Sequence, residues 1–279
     1  MAVQSSGEKR KKLIFLDIDG TLVDFNATMP ESTREALNRA TDAGHMLVIN
    51  TGRLAAQVYP WIFDKARFDG FISSSGANIR WKGERVCLEC WSEGQIAKFR
   101  DVCNSVGAAI FFHTEKNLIA APGAVEHQVE FFAQYGLKRC QFESLLESVL
   151  VADPLGRGDI EKGIYIDSKH TTSEMQELLG SDFRVDAYSF GPIPATCGEI
   201  TLSGVTKASG IERLCEYLGV DIADTVAIGD GGNDIEMIRR AAVGIAMGNA
   251  VEPLKEAADF VTDDLKNDGF AKAIYRWVL

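Results

Sequence analysis

Two textures of apolar and polar positions alternate along the chain. From Leu13 to about Asn78, short apolar runs alternate with stretches at helical spacing, as in a parallel sheet covered on both faces. The run LIFLDID, residues 13–19, predicts the first buried strand. A helix is expected over residues 30–43, opened by Pro30 and acidic residues and ended by Gly44. Residues 45–50 predict a second buried strand, followed by Thr51-Gly52-Arg53 and a helix around 54–63; residues 71–74 predict a third short strand.

From about Lys82 to Phe190 the pattern changes. A helix over 92–106 precedes two strands, AAIFFH and NLIAA, turned at 115–117. Further helix and strand segments follow at 125–135, 163–167, 172–179 and 183–189, and strands joined by tight turns suggest an antiparallel α+β module. After Ile200 the first texture returns. It predicts a helix over 207–218, a strand at 225–228, a helix from Asp234 and short strands at 243–247 and 259–262. One α/β domain, residues 1–82 and 191–279, is therefore expected to be interrupted by an inserted α+β domain, residues 83–190.

Composition narrows this picture mainly by exclusion. With 279 residues, 46% hydrophobic and 25% charged, the chain can bury a full core in one or two domains. No apolar run reaches the ~18–20 residues that cross a bilayer, and the apolar stretch that breaks off at Asp17 is too short for a signal-peptide core. A cytoplasmic protein with no membrane partner is expected. The net charge of −11, with no basic patch, argues against nucleic acid. The six cysteines are expected to be reduced, and Cys87 and Cys90, a CxxC without a second pair or histidines, to be small half-buried residues rather than a zinc site.

The chemistry-bearing residues fall at strand ends. Asp17-Ile18-Asp19-Gly20-Thr21-Leu22 follows the first buried strand directly, where ligands sit in open α/β sheets. On extended chain the i and i+2 carboxylates face the same way, and Gly20 lets the backbone turn. Two carboxylates at a buried strand mouth need a partner, and a hard divalent cation suits them. Asn50-Thr51-Gly52-Arg53 offers a hydroxyl and backbone N–H groups for an anion, although Thr51 also reads as a plain helix cap. Gly229-Asp230-Gly231-Gly232-Asn233-Asp234 lacks dinucleotide spacing, and its glycines would free Asp230 to point into a site or simply form a surface turn. Lys207 opens a helix, where a lone lysine is ordinarily solvated surface.

This set, in this order, resembles the haloacid dehalogenase superfamily of phosphatases. DIDGTL resembles its first motif, Thr51 of NTGR its second, Lys207 its third and GDGGND its fourth, over essentially the whole chain from Leu13. The insert is similar to the type C2 cap of that superfamily. Its αββ-like start, Glu199-Ile200 before the lysine segment and the DGF at 268–270 resemble the Cof-like, type IIB branch. The resemblance implies a Rossmann-like core, and a Mg²⁺-dependent hydrolysis of a small phosphorylated metabolite, first of all a sugar phosphate. Asp17 would be the nucleophile of a phospho-aspartyl route and Asp19 the general acid and base. Asp17, the Asp19 carbonyl and Asp230 would hold Mg²⁺, with Asp234 and Asn233 orienting that shell. Thr51, Gly52 and Lys207 would neutralise the phosphoryl group, with Asn233 close to the phosphate. Arg53 would reach a second polar group, or equally pair with a carboxylate as a structural contact.

Two other readings stay open at this point: a phosphotransferase of the phosphomannomutase kind, and a non-catalytic binding protein on the same fold. His113, Glu115 and Lys116, at the hairpin of the insert, are candidate substrate contacts or plain surface residues. The sequence fixes neither the substrate nor the oligomeric state.

Overall fold

The computed structural model describes residues 10–24, 26–138, 146, 148–188 and 194–279. Strands are numbered along the chain. The first five are β1 Leu13–Leu16, β2 Met46–Asn50, β3 Gly70–Ser73, β4 Asn78–Trp81 and β5 Glu84–Leu88. Then come β6 Ala109–His113, β7 Leu118–Ala120, β8 Val149–Val151, β9 Lys162–Ile166, β10 Phe183–Ala187 and β11 Gly198–Leu202. The last three are β12 Thr225–Gly229, β13 Val243–Ala246 and β14 Phe260–Val261.

Among the described residues these form two sheets. The larger runs β14-β13-β12-β1-β2-β3-β4-β5, parallel from β14 to β3 and antiparallel at β4 and β5. β1 is central and buried on both faces, which is why LIFL reads as a continuous apolar run. Its side chains still alternate. Ile14 and Leu16 pack with the helices Glu31–Asp42 and Gly269–Ala273, whereas Leu13 and Phe15 pack with Lys207–Leu218 and Ile235–Arg240. The result is a three-layer α/β lobe, as expected.

Register sets the site. Leu16 pairs with Ile49 on one side and Ile228 on the other, so the residues after β1, β2 and β12 emerge together at one sheet edge. The smaller sheet runs β10-β11-β9-β6-β7-β8, antiparallel except between β7 and β8. Ile110 and Phe112 on β6 face the core shared with Glu93–Val106 and Thr172–Leu179. Ala109 and Phe111 face the opposite cluster, which includes the helix Ala124–Gln134 and Leu54 of the larger lobe.

Three expectations need correction. The helix around 54–63 is broken into a 3₁₀ turn, Ala55–Gln57, and one short helical turn, Ile62–Lys65. Pro60, which lacks an N–H and disfavours helix at the residue before it, lies between them. Secondly, β5 belongs to the larger sheet. The expected boundary at 82/83 falls inside the β4–β5 hairpin, whose tip residues Lys82 (φ 48°) and Gly83 (φ 86°) both take the left-handed conformation of a tight two-residue turn. Thirdly, β11 lies beyond the expected boundary at 190/191 yet pairs with β9 and β10 in the smaller sheet. The chain thus changes sheets near Glu89–Trp91, where Glu89 N donates to Ala77 O and Trp91 N to Ile160 O, and again between Leu202 and Lys207.

Candidate active site

Asp17 N donates to Ile228 O (3.1 Å), which prolongs the β1–β12 pairing and fixes Asp17 at the sheet edge. Beyond it the chain turns at Gly20 (φ 81°), where an added Cβ would lie 2.0 Å from Asp230 Oδ2. Glycine is required there both for the backbone and for the close approach. Thr21 Oγ1 donates to Asp230 Oδ1 (3.0 Å), and Asn249 Nδ2 donates to Gly20 O (2.9 Å), so the first and last of these loops are held as a unit.

Lys207 reaches this unit from the first turn of its helix. Thr206 caps that helix by accepting from Ser209 N, and Asn50 Nδ2 donates to Lys207 O (2.9 Å). The ammonium, buried to 1% exposure, donates to Asp17 Oδ1 and Asp234 Oδ1, both at 2.6 Å. The other Asp234 oxygen accepts from the N–H groups of Asp230 (3.0 Å) and Gly231 (2.9 Å), shaping the GDGGND loop from within.

Asp17, Asp230 and Asp234 each offer an oxygen within 4.8 Å of the others. Burial and neighbouring carboxylates act on two of them. Burial, then Asp234, pushes the Asp17 pKa up to about 7 against the pull of Lys207. Burial, then Asp17 and Asp234, holds Asp230 well above the usual carboxylate range. Burial opposes the charge on Lys207, but Asp17 and Asp234 outweigh it and raise its pKa. One ammonium against three carboxylates leaves a buried excess of negative charge, and the donors are all oxygen. That set fits a hard divalent cation.

The second strand end carries Thr51, Gly52 and Arg53. Thr51 is buried, and its Oγ1 accepts from Arg53 N (3.2 Å), which leaves the hydroxyl hydrogen to donate elsewhere. Among the described residues no protein acceptor takes the Gly52 N–H. Asn233 abuts this loop, since a Cβ at Gly52 would lie 3.2 Å from Asn233 Nδ2. Arg53 does not hang free. Its Nε and Nη2 donate to Asp19 Oδ2 (2.6 Å) and Oδ1 (2.8 Å), while Gln57 O (3.0 Å) and Tyr59 Oη (2.9 Å) accept from it. Burial opposes the Arg53 charge, but the Asp19 pair outweighs it and raises the pKa.

The geometry therefore gathers Asp17, Lys207, Asp230 and Asp234 in one cluster, sets Gly52 against Asn233, and joins Asp19 to Arg53. The hairpin candidates go elsewhere: Glu115 pairs with Arg80 and Arg85, and Lys116 is exposed. His113 is buried with Nδ1 lacking a partner among the described residues, and burial, then Lys162, lowers its pKa well below the ordinary value. Thr21, Tyr59, Asn249 and Lys162 were not singled out from the sequence. Thr21 stood inside the first motif, but nothing local marked the others.

The haloacid dehalogenase-like hydrolase family matches residues 14–274. The chain belongs to that family. Its relatives include the 5-amino-6-(5-phospho-D-ribitylamino)uracil phosphatase YcsE of Bacillus subtilis, 28% identical over 96% of this chain and 96% of that protein. A phosphoglycolate phosphatase of Methanobrevibacter smithii is 26% identical over 95% of this chain and 98% of its own length. Among solved structures, the HAD subclass IIB sugar phosphatase BT4131 matches with a TM-score of 0.78 and 28% identity, covering 96% of this chain and 99% of that one. The family member described here is accordingly a Cof-like phosphoric monoester hydrolase. Among the described residues no helix is long and apolar enough to cross a membrane.

Proposed function

We propose that the chain hydrolyses the phosphate monoester of a small metabolite, with sugar phosphates the first class to test, through a phospho-aspartyl intermediate on Asp17. One observation carries most of the weight. The buried Asp17 carboxylate is held at Oδ1 by Lys207, and among the described residues Oδ2 accepts no hydrogen bond. It stands one strand from a loop whose Gly52 N–H has no acceptor among the described residues and whose Thr51 hydroxyl is able to donate.

In the first step Asp17 Oδ2 forms a bond to phosphorus as the bond to the leaving oxygen breaks, and Asp19 gives that oxygen its proton. In the second, water attacks phosphorus, Asp19 takes its proton, and the aspartyl–phosphorus bond breaks to release phosphate and restore Asp17. Lys207, Thr51 O–H and Gly52 N–H stabilise charge on the phosphoryl oxygens. Asp17, Asp230 and the Asp19 carbonyl would hold Mg²⁺, which when bound offsets the carboxylate and phosphate charge. Asp234 and Asn233 orient that set. Arg53 clamps both Asp19 oxygens, so it also aims the acid. Arg53 occupies one lone-pair site on each Asp19 oxygen, and a second site on either oxygen carries the proton that passes to the leaving group and is regained from water.

The relatives named above act, by their names, on different phosphate esters, so several leaving groups need to be tried. A panel of sugar phosphates, phosphoglycolate and nucleotide monophosphates, assayed for released phosphate with Mg²⁺ and again with chelator, tests the reading. Turnover that chelator abolishes is expected. A folded protein that turns over none of them, or turns them over equally in chelator, contradicts it.

A further inference from the structure

A second buried lysine lies where the smaller sheet meets the Thr51–Gly52 loop. Lys162, the first residue of β9, has 1% exposure, and its ammonium contacts Gly52 O (3.0 Å), Ser75 Oγ (3.3 Å) and Glu199. An ammonium has three N–H donors, and here all three have protein acceptors. No donor is left over for substrate. Its position speaks for a different task.

All three carbonyls of the loop are tied down. Ser75 N donates to Thr51 O (3.0 Å), Ser74 N donates to Arg53 O (2.8 Å), and Lys162 takes Gly52 O between them. The first two donors sit in an unusual turn, with left-handed Ser74 (φ 49°), Ser75 (φ 57°) and Gly76 (φ 106°). That turn abuts the cap of the Lys207 helix, since a Cβ at Gly76 would lie 2.2 Å from Thr206 O. The residue before Lys162 holds the same turn: Glu161 accepts from Ser74 Oγ (2.7 Å) and Asn78 Nδ2 (3.0 Å). Fixing the Gly52 carbonyl fixes the Gly52–Arg53 peptide plane, and with it the Arg53 N–H that engages Thr51 Oγ1. Thr51 Oγ1 is thereby held as an acceptor for Arg53 N, and its hydroxyl hydrogen stays available to donate.

We infer that Lys162, with Glu199 as its counter-ion, is a positioning residue that completes the phosphate-binding loop, and does so only while the two lobes are docked. The inference rests on the phosphatase reading above. Glu199 is carried on β11 opposite Ile164, so ammonium and counter-ion both belong to the smaller sheet while two of the three acceptors belong to the larger. The loop is therefore set across the lobe interface, and separation of the lobes withdraws the donor from Gly52.

The test is the inhibition constant of inorganic phosphate against ester hydrolysis in the wild type and in Lys162→Met, Lys162→Met/Glu199→Leu and Glu115→Ala. Both Lys162 variants are expected to weaken phosphate about 10- to 100-fold, the range for losing a hydrogen bond to a charged group. The double variant leaves no unpaired buried charge and keeps an unfolding midpoint close to the wild type. Glu115→Ala removes a different contact between the lobes and leaves phosphate affinity unchanged. Should the double variant unfold, Ser75→Ala provides the smaller change, with a several-fold loss expected. A folded double variant, or Ser75→Ala in its place, that binds phosphate like the wild type overturns the inference. A wild type that turns over no ester overturns the phosphatase reading first, and the inference falls with it.

Discussion

Two buried lysines, Lys207 and Lys162, have almost the same exposure and opposite relations to the fold. Lys207 lies wholly within the larger lobe, between Asp17 and Asp234, and its helix and both partners rest on neighbouring strands of one sheet. Lys162 has one carboxylate in its own sheet and two neutral oxygens in the other lobe. The first cluster is preorganised whenever the larger lobe is folded. The second exists only when the lobes meet. On the proposed reading the nucleophile rests on the larger lobe alone, whereas the phosphate-binding loop also needs Lys162 of the smaller sheet, and perturbations should separate the two.

The largest separation is expected at Asp17. Asp17→Asn should lower turnover by at least about a thousandfold, as removal of a nucleophile does, while phosphate binding measured by calorimetry persists. Lys162→Met should show the reverse emphasis. If Asp17→Asn lost both together, the division between the clusters would fail.

Lys207→Met comes next. It strands Asp17 and Asp234 as buried charges without their cation, and breaking such a pair costs about 3–5 kcal/mol. Denaturant unfolding should show that loss, together with a fall in turnover. A Lys207 variant of wild-type stability would mean that the ammonium does not hold Asp17 and Asp234 as described.

Gly20→Ala is a finer probe of the same cluster. The new Cβ must displace Asp230, and the left-handed backbone adds strain. Mg²⁺ activation should then require about tenfold more Mg²⁺, the lower range for disturbing a metal site. An unchanged Mg²⁺ dependence would place the metal away from Asp230.

The smallest expected effect is one of pH. The raised Asp17 pKa means that the native state holds this proton more tightly than the unfolded chain does. Between its ordinary value and about 7, stability from Asp17 in chelator therefore falls as pH rises, and is fully lost above about 7. A cation that pairs with the ionised form should restore it, so Mg²⁺ should raise the Tm by more at pH 8 than at pH 5. An equal or inverted response would detach Mg²⁺ from Asp17.

The same contrast explains what the sequence made legible. The larger lobe could be read because its signals are local. LIFL, MLVIN and TVAIG are buried runs with polar residues immediately after them, and parallel register alone carries those residues to one edge. Lys207 follows a turn and opens a helix, so its place was readable, although its burial was not. Lys162 begins a strand whose sequence, KGIYI, gives no sign that its ammonium will cross to Gly52, a residue 110 positions away. The β4–β5 hairpin was missed for a related reason. Its strands hold Arg80, Glu84 and Arg85, and pairing at a half-exposed sheet edge tolerates charge that blurs the apolar alternation. The helix expected over 54–63 failed at Pro60, where a local rule was available and the apolar spacing around it was given too much weight. A carboxylate partner for Arg53 was one of two sequence expectations, and the meeting of two loops identifies it as Asp19.

The account stands on Asp17 as the residue that carries the phosphoryl group. It is tested most directly by acid-quenching the enzyme during steady turnover of an accepted ester and mapping its peptides by mass spectrometry. The account predicts one added phosphoryl group on the peptide bearing Asp17, absent from Asp17→Asn and from enzyme quenched without substrate. A phosphoryl group on another residue, or full turnover with Asp17 unmodified at every quench time, would contradict it.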